Sequence, residues 1–152
     1  VSFLFSWIIQ DLLQVFLIGN VLVPEYFLVS LAYPLLLEKE GFRKVLWISF
    51  FGGLLWDLRW TGLWGLTAGI YSFSIVALYW IWTLFPSSGR TPCLFFFLCW
   101  FATLLVSALR IFVWNRSGIH LPHAFLVQQL CTVPFMILLS IMFSRRIASE
   151  NA

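Results

Sequence analysis

The sequence predicts an all-α integral membrane protein, with six transmembrane helices forming one domain over residues 1–152. Three observations carry this. Of the 152 residues, 62% are hydrophobic and only 10% are charged, whereas soluble domains are about 45–50% apolar and about 25% charged. The mean hydropathy is +0.97. The apolar residues fall into blocks, broken by Pro, Gly and polar clusters, that approach the ~20 residues a spanning helix needs. A soluble chain this short keeps too much surface to hide so much apolar side chain. Soluble enzymes, nucleic-acid-binding modules and secreted disulfide scaffolds are excluded together. The net charge of +3 comes from scattered cations, not from a basic run with interleaved aromatics. Cys93, Cys99 and Cys131 form no CxxC or metal-ligand spacing, and their odd number argues against a complete disulfide set.

Segment one covers residues 1–19 and is interrupted by Gln10, Asp11 and Gln14. It lacks a basic leader and a small-residue cleavage site, so it reads as a retained helix. Segment two, 21–37, carries Pro24 near its start and Pro34 near its end, and is short and open to kinking. The polar run from Glu38 to Lys44 is a loop. Segment three, 45–58, is too short to span untilted, and Arg59–Gly62 is a turn. Segment four covers 63–85, and Pro86–Pro92 is a loop. Segment five covers 93–114, and a loop from Asn115 closes at Pro122. Segment six covers 123–143 and ends at Arg145-Arg146. No linker is long enough to divide the chain, and no internal repeat stands out.

Charge orients the bundle, because Lys and Arg favour the cytoplasmic side. Lys39, Arg43, Lys44, Arg90, Arg145 and Arg146 fall on one side, Arg59 and Arg116 on the other. Both termini are therefore expected in the cytoplasm. Trp56, Trp60, Trp64 and Trp114 map to the outer interface, and Trp7, Trp47, Trp80 and Trp82 to the inner one. They are expected to form a headgroup-level belt.

Ionisable groups inside spans are costly and need partners. Asp11 is expected near the middle of segment one. Gln10 and Gln14 share a face at i, i+4. An interhelical hydrogen-bond cluster with Gln128 and Gln129 is the structural reading, and a proton relay the alternative. Glu25, Asp57, Arg59, Arg110, Arg116, His120 and His123 all approach the outer half. Arg110 must find a carboxylate or snorkel; Asp57 is the expected partner. His120 and His123, with Pro122 between them and no third ligand nearby, do not read as a zinc site. There is no HExxH, GxSxG or phosphate loop. Asp11 and Asp57 are expected at different depths, which weighs against an intramembrane acid–base pair. No catalytic residue, metal or cofactor is expected.

The run Gly52-Gly53-Leu54-Leu55-Trp56-Asp57-Leu58-Arg59-Trp60-Thr61-Gly62-Leu63-Trp64-Gly65-Leu66 resembles a motif of the MreD family of rod shape-determining membrane proteins. The matching positions are Gly53, Asp57, Leu58, Gly62 and Gly65. Pro24-Glu25 looks like the Pro-Asp that opens the corresponding helix, and Gln10-Asp11 lies where a Gln with a small polar neighbour is usual. The resemblance is best from Gln10 to Phe85. Arg59-Trp60 departs from the small residues usual in that turn, and position 25 has Glu for Asp. Physically, Gly52 and Gly53 admit a neighbouring backbone. Asp57 can cap the next turn or segment four, and Gly62 and Gly65 supply turn conformations. The resemblance implies a six-helix fold similar to the substrate-binding subunit of energy-coupling-factor vitamin transporters. It implies a non-enzymatic scaffold of bacterial cell elongation in the cytoplasmic membrane. Its implied partners are an MreC-like single-pass protein and, through it, the MreB cytoskeleton and the RodA glycosyltransferase with its transpeptidase. A vitamin-binding subunit is the rival function. It should show a small-xxx-small face on segment one, which here carries Phe, Leu, Ile and Gln. An intramembrane carboxylate-dependent enzyme is the weakest alternative.

Overall fold

A computed structural model describes residues 2–16, 22–37, 41–86, 89–114 and 121–150. They form six α-helices: α1 (Ser2–Phe16), α2 (Tyr26–Leu36), α3 (Phe42–Trp56), α4 (Leu66–Leu84), α5 (Pro92–Trp114) and α6 (Leu121–Glu150), with a π-helical turn, Asp57–Thr61, after α3. No strand occurs among the described residues. Among the described residues, three helical stretches are long and apolar enough to cross a membrane: Leu66–Leu84, Pro92–Val113 and Phe125–Ile147. The expected segments five and six correspond closely to the last two, although α6 continues through Arg145-Arg146 instead of ending there. Lys39, Arg116 and His120 lie outside the described residues.

The short helix α2 is the centre of the molecule. It packs against α1, α3, α4, α5 and α6. Nine of its residues are buried, from Phe27 to Leu36. A helix that is apolar all round has no solvent-facing stripe and belongs in an interior. It begins later than the sequence suggests, because Leu22–Glu25 form a non-helical stretch that leads into it. Pro24 has no N–H and biases the residue before it towards extended backbone. Leu22, Val23 and Glu25 are buried, so this irregular stretch is enclosed by protein, the setting in which non-helical backbone survives in apolar surroundings.

α3 and α4 form the tightest pair. A Cβ on Gly53 would lie 2.5 Å from Ala68 Cα, so only glycine permits the two backbones to meet there. A Cβ on Gly52 would collide with the Phe27 ring from α2. The expected Arg59–Gly62 turn is instead helical through Thr61. The wider π turn is closed by Gly62 N–H donating to Asp57 O at 3.0 Å, and Gly62 then takes φ 65°. Gly65 takes φ 87° immediately before α4. Two left-handed glycines delay the helix from the expected Leu63 to Leu66.

The tryptophans do not all form a belt. Trp47, Trp64 and Trp80 are exposed, but Trp56 and Trp82 are buried. Trp82 meets the edge of Phe143, which stacks on Phe95 at 4.7 Å. The Phe-rich part of α5 is divided likewise: Phe95 is buried in the core, while Phe97 and Phe101 face outwards.

Gly53→Leu should lower the thermal midpoint in detergent substantially, since overpacking a tight core site costs about 1–3 kcal/mol and the obstruction here is backbone. Gly41→Ala, at a site with nothing within 4 Å of its Cβ, should leave the midpoint in place. Equal midpoints for the two variants would refute the α3–α4 contact.

Candidate functional site

One buried polar network links α1, the entry to α2, α4 and α5. Glu25 Oε1 faces Arg110 Nη1 at 2.6 Å. The Tyr71 hydroxyl donates to Glu25 Oε2 at 2.6 Å and accepts from Arg110 Nη2 at 3.1 Å and from Gln10 Nε2 at 2.9 Å. Gln10 Nε2 also reaches Glu25 Oε2 at 3.3 Å. Gln10, Glu25 and Tyr71 are fully buried, and Arg110 is 5% exposed. The guanidinium carbon lies 5.9 Å from the centroid of the Trp56 ring and 5.7 Å from that of Tyr71, so two aromatic rings shield the ion pair.

The local sequence explains the geometry. Glu25 is the N-cap of α2 but makes no side-chain cap bond; its carboxylate turns to Arg110. The cap is supplied from another helix instead, as Gln10 Oε1 accepts from Phe27 N–H at 3.0 Å. The preceding carbonyl, Val23 O, accepts from Gln128 Nε2 at 2.8 Å. Gln128 Oε1 in turn accepts from Ser107 Oγ at 2.7 Å. Thr103, Ser107 and Arg110 share one buried face of α5 at i, i+4 and i+7.

The expected Asp57–Arg110 pair is therefore corrected: Arg110 pairs with Glu25. Asp57 is buried and holds the start of α4. Its carboxylate accepts from Thr67 N–H at 2.9 and 3.0 Å, Ala68 N–H at 3.3 Å and Thr61 Oγ1 at 2.9 Å. This is helix capping across an intervening turn, and it places a negative charge at the positive end of the helix dipole.

Asp11 does not join a Gln10–Gln128 cluster, nor does it stand alone at mid-depth. It accepts from Trp60 Nε1 at 2.7 Å and pairs with Arg59 Nε at 3.1 Å. Trp60 lies within a turn of Asp57, so Asp11 and Asp57 occupy the same end of the bundle, contrary to the expected difference in depth. Asp57 nonetheless makes its hydrogen bonds to Thr61 and to backbone N–H groups, while Asp11 is bound by Arg59 and Trp60. The amide pairs expected to cluster act separately: Gln10 joins Glu25, Gln128 joins Val23 and Ser107, and Gln129 Oε1 accepts from Trp100 Nε1 at 3.1 Å. Gln14 is half-buried on α1. His123 is exposed, and no metal-binding group of three His, Cys, Asp or Glu exists among the described residues.

Tyr71 and Ser107 are the members that sequence reasoning missed. Tyr71 sits in an apolar aromatic run that gives no cue. Ser107 had one, since Thr103, Ser107 and Arg110 mark a polar stripe on an otherwise apolar helix.

Comparison with protein-family models, curated proteins and solved structures returns no match to this chain.

Arg110→Met should destabilise the protein by about 3–5 kcal/mol, because it leaves the Glu25 carboxyl buried without its cation. Glu25→Gln/Arg110→Met should recover a large part of that loss in the same detergent melt. Additive losses in the double variant would break the pairing. Asp57→Ala should cost about 1–2 kcal/mol through the lost cap. It should also speed amide hydrogen exchange at Thr67 and Ala68, where unchanged protection would exclude the cap.

Proposed function

We propose that this chain is a non-enzymatic scaffold of the MreD type in the bacterial cytoplasmic membrane, spanning it six times with both termini in the cytoplasm. In this role it binds an MreC-like bitopic protein and supports lateral peptidoglycan synthesis by a RodA-type glycosyltransferase and its transpeptidase, in register with the MreB cytoskeleton. The observation that carries this is the closure of the interior polar network. Glu25, Arg110, Tyr71 and Gln10 bind one another, and Asp57 binds backbone N–H groups. Groups used in this way hold helices together; they are not arranged to turn over a substrate.

Two further features support the reading. The 15 residues of α3 and the 5 of the following π turn together approach the ~30 Å thickness of the hydrocarbon core. α2, enclosed by its neighbours, needs no lipid-spanning length of its own. Bulky side chains line the outward faces of α1 (Leu4, Ile8, Leu12) and α3 (Trp47, Phe51, Leu55). These surfaces suit lipid or a partner's transmembrane helix packed side by side. They differ from the small-residue face by which a vitamin-binding subunit would dock its coupling partner.

Affinity purification from native membranes in mild detergent, followed by mass spectrometry, tests the proposal. Recovery of a single-pass coiled-coil protein, with or without a polytopic glycosyltransferase, is the expected result. Recovery of paired ATPases with a polytopic coupling subunit would replace it with the vitamin-transporter reading.

A further inference from the structure

The fold gathers cations that are far apart in sequence. Phe42, at the start of α3, stacks on Tyr79 near the end of α4 at 4.6 Å. Trp82 of α4 meets Phe143 of α6. Ser140 Oγ of α6 donates to Pro92 O, at the start of α5, at 2.9 Å. These contacts place Arg43, Lys44, Arg90, Arg145 and Arg146 at one end of the bundle. Asp11, Glu25 and Asp57 lie at the opposite end, tied to Arg59, Arg110 and the start of α4.

We propose that this basic end is a binding surface for anionic phospholipid headgroups. Arg43, Lys44, Arg145 and Arg146 are exposed, and Arg90 is half-buried. The Arg90 guanidinium carbon lies 5.2 Å from the centroid of the buried Trp82 ring, which anchors it at the level where α4 ends and α5 begins. Beside it, Trp82 Nε1 is a buried donor with no acceptor among the described residues. An arginine fork matches phosphate oxygens geometrically as well as by charge. Trp47 and Trp80, exposed near the same end, suit the headgroup level of a bilayer. Basic sites at helix ends on one face of a membrane protein are the arrangement that recruits anionic lipid. The assignment requires only that this end meet a headgroup layer. It stands whether the chain is a scaffold or a transporter subunit.

The test uses the full chain in a neutral detergent, melted with added phosphatidylglycerol, phosphatidylcholine or inorganic phosphate. A ligand that binds only the folded state raises the melting temperature by mass action. Phosphatidylglycerol should raise it by about 5 °C, while phosphatidylcholine and inorganic phosphate leave it unmoved. Arg90→Gln/Arg145→Gln/Arg146→Gln should lose most of that rise. Equal shifts with both lipids, an equal shift with inorganic phosphate, or a full shift in the variant would each overturn the proposal. Native mass spectrometry of the wild-type protein gives a second readout that does not depend on the variant folding. Phosphatidylglycerol retained over phosphatidylcholine from an equimolar mixture supports the site, and equal retention refutes it.

Discussion

A guanidinium and a carboxylate cannot sit in an apolar interior unless each is the other's solvent, and the bundle is organised around that requirement. Taking either charge out of water costs several kcal/mol. The cost is offset only where geometry is close and the remaining oxygens and N–H groups also find partners. Arg110 and Glu25 meet at 2.6 Å, Tyr71 bridges them, and Gln10 completes the set. Because Glu25 is committed to Arg110, it cannot cap its own helix, and the amide of Gln10 takes that place from a different helix. Because Leu22–Glu25 are not helical, the Val23 carbonyl lies outside the helical ladder, and Gln128 donates to it. The ion pair and the contacts that follow from it thus draw together one or more polar residues from α1, the entry to α2, α4, α5 and α6.

The same end of the molecule solves a second problem with different means. α3 and α4 approach so closely that Gly53 lies against the Ala68 backbone. The turn joining them is a π-helical widening followed by two glycines with positive φ. The π turn brings Asp57 beneath the first N–H groups of α4 and carries Arg59 and Trp60 to Asp11 on α1. Capping and the α1 contact therefore share the five consecutive residues Asp57–Thr61.

Much of this was legible in the sequence, and the exceptions have physical causes. Composition gave the all-helical apolar class, and Gly53, Gly62, Gly65 and Asp57 were each readable as close approach, turn or cap. Arg110 announced its need for a carboxylate, but two acids approached the same end and the wrong one was expected. What separates them is three-dimensional: the Asp57 oxygens are occupied by N–H groups that sequence spacing does not reveal. The burial of Trp56 over Arg110 and of Trp82 against Phe143 was equally hidden, since a buried aromatic and one facing a headgroup have the same local pattern. The late start of α2 follows Pro24, whose effect on the preceding backbone was visible, but the non-helical stretch around it is held by Gln128, near the far end of the chain.

The closure of the polar network also bears on the order in which the molecule can be made. Gln10 and Glu25 are synthesised first, Tyr71 next, and Arg110 after all three. A nascent chain that has released α2 holds a carboxyl group whose cation does not yet exist. The central helix is short, acidic at its entry and nearly devoid of lipid-facing surface. It meets its cation only once α5 emerges and acquires its full surroundings only with α6, so the core of this bundle is completed from the outside inwards.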